Sequence, residues 1–243
     1  MARREVREMM EFGGQTVFIT GAAGNLGRAT AEAFSAAGAR CVLVDNNAAG
    51  LQAAYGIDTD VRLSLTADLA DPAALARTVE TALGKFGRIH MLCNIAGGFR
   101  MGPAVHETPA DMWRLMIDLN AGSLINMAQA MVPQMLKAGG GKIVNVAAMG
   151  GLRGGAKMGA YAAAKSAVMR LTESMSAELR EHNINVNCVM PSIIDTPANR
   201  ADMPKADPKR WVAPAALADV ILFLCSERSR AVHGAALPVV GLS

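Results

Sequence analysis

Short apolar, β-branched stretches alternate with longer alanine-rich stretches along most of the chain. The apolar stretches have the length of strands, and an uninterrupted apolar run such as residues 41–44 is typical of a strand buried on both faces of a sheet. The alanine-rich stretches are long enough to form helices. This alternation predicts an α/β domain in which helices cover both faces of a doubly wound parallel sheet.

The pattern assigns seven strands and six helices. The strands are predicted at residues 16–20, 40–45, 61–67, 89–94, 142–147, 185–190 and 236–240. The helices are predicted at residues 26–37, 72–86, 109–120, 122–138, 159–181 and 214–225. Segments 97–108, 149–158 and 192–212 lack clear periodicity, and each follows a predicted strand. We expect them at the carboxyl edge of the sheet, where open α/β sheets bind ligands.

The chain has 243 residues, of which 51% are hydrophobic, and this is enough for one large core. No linker rich in Pro, Gly or Ser divides it. We therefore predict an N-terminal extension over residues 1–12 and a single domain over residues 13–243. The extension mixes three arginines with three glutamates and lacks the apolar centre of a signal peptide, so a cytoplasmic location is expected.

Composition argues against several classes of function. The net charge is only +3 and its cations are scattered, so nucleic acid is not expected as a partner. No apolar run is long enough to span a membrane. The cysteines and histidines are dispersed, which predicts reduced core thiols and no metal site. These residues are Cys41, Cys93, Cys188, Cys225, His90, His106, His182 and His233.

A glycine-rich turn over residues 20–27 joins the first predicted strand to the first predicted helix. Glycines in such a turn let the backbone approach a pyrophosphate, whose charge is stabilised by free amides and the helix dipole. The context predicts a Rossmann-type dinucleotide site that includes Gly21, Asn25, Leu26 and Gly27. A turn that serves only tight packing is the alternative.

Asp45 ends the second predicted strand, close to the offset of about 20 residues at which an acid accepts hydrogen bonds from the adenosine ribose. Its carboxylate would repel a 2′-phosphate, and neither Asn46 nor Asn47 is a cation. NAD is therefore favoured over NADP. The alternative for Asp45 is a cap on the next turn. Asp68, after the third predicted strand, would contact adenine or cap the helix that follows.

Tyr161 and Lys165 are four residues apart on a predicted helix, so their side chains share one face. A nearby ammonium stabilises a phenolate and would lower the phenol pKa from about 10 towards neutrality. The pair is thus a candidate proton donor for a reaction at a bound dinucleotide. A surface tyrosine beside a solvated lysine is the alternative.

In the order of these motifs the chain resembles the short-chain dehydrogenase/reductase family over nearly its whole length. The matching segments are residues 20–27, 68–69, 94–97, 120, 161–165 and 191–196. The resemblance implies hydride transfer at C4 of a nicotinamide, coupled to proton transfer through Tyr161. It also implies a small-molecule substrate and a homotetramer or homodimer.

The resemblance implies a role for each matching residue. Lys165 would bind the nicotinamide ribose and keep Tyr161 acidic, and Asn120 would hold a water that links Lys165 to solvent. Pro191, Ile194 and Thr196 would hold the nicotinamide carboxamide. The other cofactor-lining positions would be Asp68, Leu69, Asn94, Ala96 and Gly97.

Three residues depart from the family's pattern. Asn25 replaces a glycine of the turn, where asparagine tolerates left-handed geometry. Ser192 replaces the glycine that usually follows Pro191. The family's catalytic serine, expected thirteen positions before Tyr161, is Ala148 here. Losing such a preorganised hydrogen-bond donor costs about 10²–10³ in rate.

Three explanations for Ala148 stay open. The substrate does not need the hydroxyl, another group such as Ser192 replaces it, or the chain is a catalytically weakened nucleotide-binding regulator or scaffold. Dihydropteridine reductases are similar in having the Tyr/Lys pair without the serine, and residues 195–211 resemble their corresponding segment. We expect an NAD(H)-dependent oxidoreductase for a small carbonyl or alcohol, or for a conjugated dihydropteridine- or quinone-like ring.

The aperiodic segments contain residues expected around the substrate. Arg100, Arg153 and Lys157 would attract an anionic substrate, and the alternative is that they are solvated loop cations. Apolar residues in the same segments would make an adaptable pocket. They are Phe99, Met101, Met149, Met158, Met203 and Trp211.

The helices predicted at residues 122–138 and 159–181 carry apolar residues on more than one face. This pattern predicts packing against both the sheet and a partner subunit. Deep burial within a monomer is the alternative.

Overall fold

The computed structural model describes residues 11–243, which form one domain around a seven-stranded sheet. All strand pairs are parallel, and their order is β3-β2-β1-β4-β5-β6-β7. The strands are β1 Thr16–Thr20, β2 Arg40–Asp45, β3 Arg62–Thr66, β4 Met91–Asn94, β5 Gly141–Val146, β6 Ile184–Pro191 and β7 Ala236–Val239. The predicted Rossmann-type, doubly wound sheet is confirmed.

Eight α-helices connect the strands within the described residues. They are α1 Asn25–Ala36, α2 Ala48–Tyr55, α3 Pro72–Phe86, α4 Ala110–Ile117, α5 Ser123–Lys137, α6 Gly159–Leu179, α7 Pro197–Asp202 and α8 Pro214–Cys225. Every predicted helix is present within a few residues of its expected bounds. Helices α2 and α7 were not predicted, because each is short and buries at most one side chain, so neither has an amphipathic period.

Two apolar cores lie on opposite faces of the sheet. Alternate strand residues supply each core: Phe18 and Val42 point to one face, whereas Val17 and Leu43 point to the other. Helices α3, α5 and α6 pack on the first face, and α1 and α8 pack on the second. Because each strand is covered on both sides, its sequence is almost continuously apolar.

Helices α4 and α5 form one helical run, joined by a π-helical turn at Asp118–Gly122. The sequence pattern predicted two helices divided near residue 121. The extra residue of a π turn widens the helix locally, and such turns occur often at functional sites. Here the widened turn contains the buried Asn120.

Residues 1–10 of the predicted N-terminal extension lie outside the described residues. Phe12, at the end of that extension, is buried, and its ring centroid lies 5.1 Å from that of Phe34. Between residues 11 and 243, no helix combines the length and the hydropathy needed to cross a bilayer.

Candidate active site

The strand order reverses between β1 and β4, so the carboxyl ends of these two strands diverge into separate loops. Thr20 of β1 is in register with Asn94 of β4, and Asn94 is in register with Asn145 of β5. A crevice at such a switch point is where open α/β sheets bind ligands. The loops that carry the predicted cofactor residues therefore begin at adjacent positions on the carboxyl edge of the sheet.

The glycine turn packs closely against the loop that follows β4. Gly21 has a φ of +66°, and a Cβ there would lie 2.8 Å from the amide nitrogen of Ala96. The Thr20 hydroxyl accepts hydrogen bonds from the amides of Ile95, at 3.1 Å, and Ala96, at 3.2 Å. This contact leaves no space for a side chain at Gly21, so the glycine is required for both its φ and its size.

The first helix begins at Asn25, directly beside this turn. A Cβ on Gly27 would overlap the carbonyl oxygen of Gly21, so the turn and α1 approach as closely as a glycine allows. Leu26 is buried in the core. Asn25 is the first helical residue and its φ is not positive, so this position does not need the left-handed geometry that asparagine tolerates.

Asp45 faces the glycine turn. Its carboxylate accepts hydrogen bonds from the amides of Ala23 and Asn47, each at 3.0 Å. The Arg28 side chain also lies at this turn, where Nε donates to the carbonyl oxygen of Ala23 at 2.9 Å. Arg28 was not predicted near this site, because cations were considered only within the glycine turn and directly after β2.

Asp68 and Leu69 follow β3 at the same edge. The Asp68 carboxylate accepts from the Ala70 amide at 2.9 Å, which is a local turn contact. The Leu69 carbonyl oxygen accepts from Nδ2 of Asn126 in α5 at 2.8 Å. The loop after β3 is thereby tied to α5, and the Asp68 carboxylate keeps one oxygen outside these contacts.

Asn94 begins a buried polar chain that sequence reasoning missed. Its Nδ2 donates to Oδ1 of Asn145 at 2.9 Å, and Asn145 Nδ2 donates to the hydroxyl of Thr172 in α6 at 2.9 Å. Asn94 Oδ1 is buried and has no partner among the described residues. Beside it is a cavity of about 10 Å³, lined in part by Thr20 and Asn120, which is enough space for one water.

The side chains of Asn120 and Lys165 both lie close to Gly97. A Cβ on Gly97 would lie 2.8 Å from Asn120 Oδ1 and 3.2 Å from Lys165 Nζ. Asn120 Nδ2 donates to the carbonyl oxygens of Met116, at 2.9 Å, and Gly98, at 3.1 Å. Its Oδ1 accepts from the Gly98 amide at 3.2 Å. The π-helical turn thus fixes the Asn120 amide against the loop after β4.

Lys165 is a buried cation. Only 6% of its surface is exposed, and Nζ donates to the carbonyl oxygen of Val146 at 2.8 Å. Burial disfavours the charged form and lowers the pKa of Lys165 from 10.5 to about 8. No carboxylate of residues 11–243 forms an ion pair with this ammonium.

Tyr161 lies one helical turn before Lys165 in α6, and its ring meets the ring of Phe99 edge-on at 4.9 Å. Burial raises the pKa of Tyr161 to about 12. The predicted lowering of the phenol pKa by Lys165 is therefore wrong for this structure. Desolvation is the dominant effect on the phenol, and the ammonium is engaged by Val146 instead.

Comparison with known proteins identifies the family. A family model for short chain dehydrogenases matches residues 15–207. The chain is 35% identical to 2-dehydro-3-deoxy-D-gluconate 5-dehydrogenase of Dickeya dadantii over 94% of each protein. It is 33% identical to trans-4-hydroxycyclohexanecarboxylate dehydrogenase of Sinomonas cyclohexanicum, over 93% of this chain and 92% of that protein. The chain belongs to the short-chain dehydrogenase/reductase family.

A solved structure supports the same assignment. That of NAD⁺-bound xylitol dehydrogenase matches with a TM-score of 0.86 and 27% identity, over 95% of this chain and 99% of the other. The predicted family, fold and enzyme class are confirmed, and the protein is an oxidoreductase of the short-chain dehydrogenase/reductase type.

The position of the family's catalytic serine is held by Ala148, which is 5% exposed and lies between the end of β5 at Val146 and the 3₁₀ turn Met149–Gly151. The Ser192 hydroxyl, one candidate for its replacement, is bound to the C-terminal segment. Ser192 Oγ donates to the carbonyl oxygen of Val240 at 2.8 Å and lies 2.7 Å from Ser243 Oγ. These contacts hold the Ser192 side chain against the C-terminal segment, which argues against the explanation that Ser192 replaces the serine.

The segment after β6 was predicted to lack regular structure, but it contains a short helix and a β-bridge. Pro191 ends β6, and Ile194 forms a parallel bridge with Val212. The Thr196 hydroxyl accepts from the Asn199 amide at 3.2 Å and caps α7. This cap leaves the Thr196 hydroxyl proton available for another acceptor.

Proposed function

We propose that this enzyme transfers a hydride between NAD(H) and a small carbonyl or alcohol, or a conjugated ring, with Tyr161 as the proton donor and acceptor. The observation that carries the proposal is the meeting of Asn120 and Lys165 at Gly97, one helical turn from Tyr161. These groups come from α6, the π-helical turn and the loop after β4. Three separate elements thus bring polar groups together near the helix that carries Tyr161.

The residues around the glycine turn fit a nicotinamide dinucleotide. A Cβ at Gly21 or Gly97 would collide with protein atoms, so these glycines let the loops after β1 and β4 pack closely at the edge of the sheet where the dinucleotide would bind. The Asp45 carboxylate would accept from ribose hydroxyls and repel a 2′-phosphate, which favours NAD. When bound, the dinucleotide supplies the hydride carrier.

Further contacts would come from the loops at the sheet edge. Asp68 and Leu69 would border the adenine, and Asn94 and Ala96 would border the ribose. Pro191, Ile194 and Thr196 would contact the nicotinamide end, where Thr196 can donate the proton that its capping contact does not use. Lys165 would donate to the nicotinamide ribose.

Tyr161 is a neutral phenol at physiological pH, because burial raises its pKa to about 12. It therefore donates a hydrogen bond to a substrate oxygen. A developing alkoxide is a stronger base than a phenolate, so proton transfer from Tyr161 towards it is favourable. Asn120 would hold a water on the path from the phenol to solvent.

The substrate side of the phenol is mainly apolar. Phe99 packs on the Tyr161 ring, Ala148 provides no hydroxyl, and a Cβ on Gly150 would lie 3.5 Å from Tyr161 Cε1. These surfaces favour a flat or cyclic substrate body. The names of relatives acting on a gluconate and on a hydroxycyclohexanecarboxylate support alcohol and carbonyl chemistry, and Ala148 supports a ring that needs no serine.

A panel assay tests this proposal. NADH oxidation is measured with cyclic ketones, quinones and quinonoid dihydropteridine, and we expect turnover with at least one class. Ala148→Ser should increase ketone reduction by about tenfold or more, since it restores a preorganised donor. No oxidation with any substrate by either protein would reject the proposal and favour a nucleotide-binding regulator.

We also propose a homotetramer or homodimer. Most apolar residues of α5 and α6 are buried within the monomer, including Met127, Met131 and Val168. Ile125 and Leu136 of α5 are instead 42% and 40% exposed. A partner subunit would cover them, and the mass measured by light scattering tests this.

A further inference from the structure

The two loops that border Tyr161 carry an excess of positive charge. Residues 97–108 contain Arg100, and residues 149–158 contain Arg153 and Lys157. The one acid in these loops is Glu107, which lies 3.8 Å from His106 Nε2. Arg100, Arg153 and Lys157 are exposed, and no ion pair joins them to a carboxylate of residues 11–243.

These loops are attached to each other beside the phenol. The Gly102 amide donates to the carbonyl oxygen of Lys157 at 2.7 Å. Phe99 precedes Arg100 in the chain and packs on Tyr161. Gly150, three residues before Arg153, also approaches the Tyr161 ring. The cations therefore belong to loops whose other residues contact the reaction centre.

We propose that Arg100, Arg153 and Lys157 recognise a carboxylate on the substrate, at the end remote from the reacting carbon. The inference rests on the proposed function, since it concerns the substrate of the same site. The apolar surface near Tyr161 would contact the body of the substrate, and the loop cations would attract its charged end. Arginine suits this role because its planar guanidinium matches a carboxylate in two parallel hydrogen bonds.

The expected effect is moderate, because the three cations are exposed. A single exposed ion pair changes an equilibrium only a few-fold, so three together would contribute about tenfold. Contacts that are equal in the ground state and the transition state act on KM and not on kcat. The loop cations should therefore lower the KM of an anionic substrate.

The test compares 4-oxocyclohexanecarboxylate with its uncharged methyl ester, using NADH. The variant combines Arg100→Gln, Arg153→Gln and Lys157→Asn, since asparagine tolerates the φ of 62° at position 157. We expect the ratio of kcat/KM for the acid to that for the ester to fall about tenfold through KM. Arg77→Gln, at an exposed cation of α3, should leave the ratio unchanged. An unchanged ratio in the triple variant would overturn the inference.

A binding measurement separates this inference from the proposed function. Cyclohexanecarboxylate and cyclohexanecarboxamide are titrated calorimetrically into the protein with NADH present, which requires no turnover. We expect the carboxylate to bind about tenfold more tightly than the amide to the unmodified protein, and equally in the triple variant. Equal binding of the two compounds to the unmodified protein overturns the inference. Tighter carboxylate binding without turnover of any ketone would reject only the proposed reaction.

Discussion

The ring of Phe99 stands edge-on to the ring of Tyr161, with the two planes at 90° and the centroids 4.9 Å apart. Phe99 belongs to the loop after β4, whereas Tyr161 belongs to α6. This contact between distant segments removes water from one side of the phenol. It contributes to the burial that raises the pKa of Tyr161 to about 12.

Phe99→Ala should lower the pKa of Tyr161 towards about 10, because the phenolate would regain solvation. The chain has only two tyrosines, so a Tyr55→Phe background leaves one phenol to observe. Ultraviolet absorbance during a pH titration measures its ionisation. Phe223→Ala, at a half-exposed position in α8, is the matched control. Identical titration curves with and without Phe99 would show that the ring does not control the phenol.

Gly97→Ala should reduce kcat/KM at least about 100-fold, because its Cβ would meet Asn120 Oδ1 at 2.8 Å and Lys165 Nζ at 3.2 Å. A displacement of about 1 Å at a reaction centre has an effect of this size. Gly154→Ala is the control, since a Cβ there meets nothing within 4 Å. Similar steady-state kinetics for the two variants would contradict the assigned contact.

Asp45→Asn should raise the ratio of kcat/KM for NADPH to that for NADH by about tenfold or more. The change removes a carboxylate that faces the turn and leaves Arg28 as the nearby cation. Adding Arg28→Ala should reverse part of the gain. Asp60→Asn, at an exposed site, is the control. If the ratio stays constant in Asp45→Asn, Asp45 does not select the cofactor.

Lys165 should make stability depend on pH. The folded protein holds the lysine proton less tightly than the unfolded chain, because burial lowers the pKa from 10.5 to about 8. The free energy of unfolding should therefore rise as the pH increases from about 8 towards 10.5, by up to about 3 kcal/mol. Below pH 8 the protein bears the full cost of burying the ammonium.

The lysine contribution is isolated by comparison with Lys165→Met. Urea unfolding of both proteins is measured between pH 7 and pH 10, at one protein concentration. The difference in free energy, unmodified protein minus variant, should increase with pH in this window. A difference that stays flat would mean that Lys165 titrates at its ordinary pKa in the folded protein.

The sequence was sufficient to predict the sheet, whereas the residues assigned to the site stay a prediction. Buried parallel strands such as Arg40–Asp45 are almost continuously apolar, so the residues at which they begin and end can be predicted from the sequence. The glycine turn and the Tyr161/Lys165 spacing are local signals, and their order in the chain identified the family. Helix α2 was missed because Leu51 is its only buried residue, which leaves no periodic pattern.

The remaining errors concern contacts between distant segments. The raised pKa of Tyr161 depends on burial that includes Phe99, 62 positions away in the chain. The hydrogen bond of Ser192 to Val240 could not be predicted from the sequence either, because the C-terminal segment carries no motif. Arg28 lies at the cofactor turn only because α1 begins at Asn25. Such pairings follow from the folded topology.

The most direct measurement compares Tyr161→Phe with the unmodified protein in two assays, NADH oxidation with an accepted substrate and NADH binding by fluorescence titration. Phenylalanine keeps the ring and its contact with Phe99 but removes the hydroxyl. We predict that kcat falls about 10²–10⁴-fold, as for the loss of a positioned acid, while the Kd of NADH changes less than about threefold. Turnover that survives in Tyr161→Phe would contradict the assignment of the phenol as the proton donor.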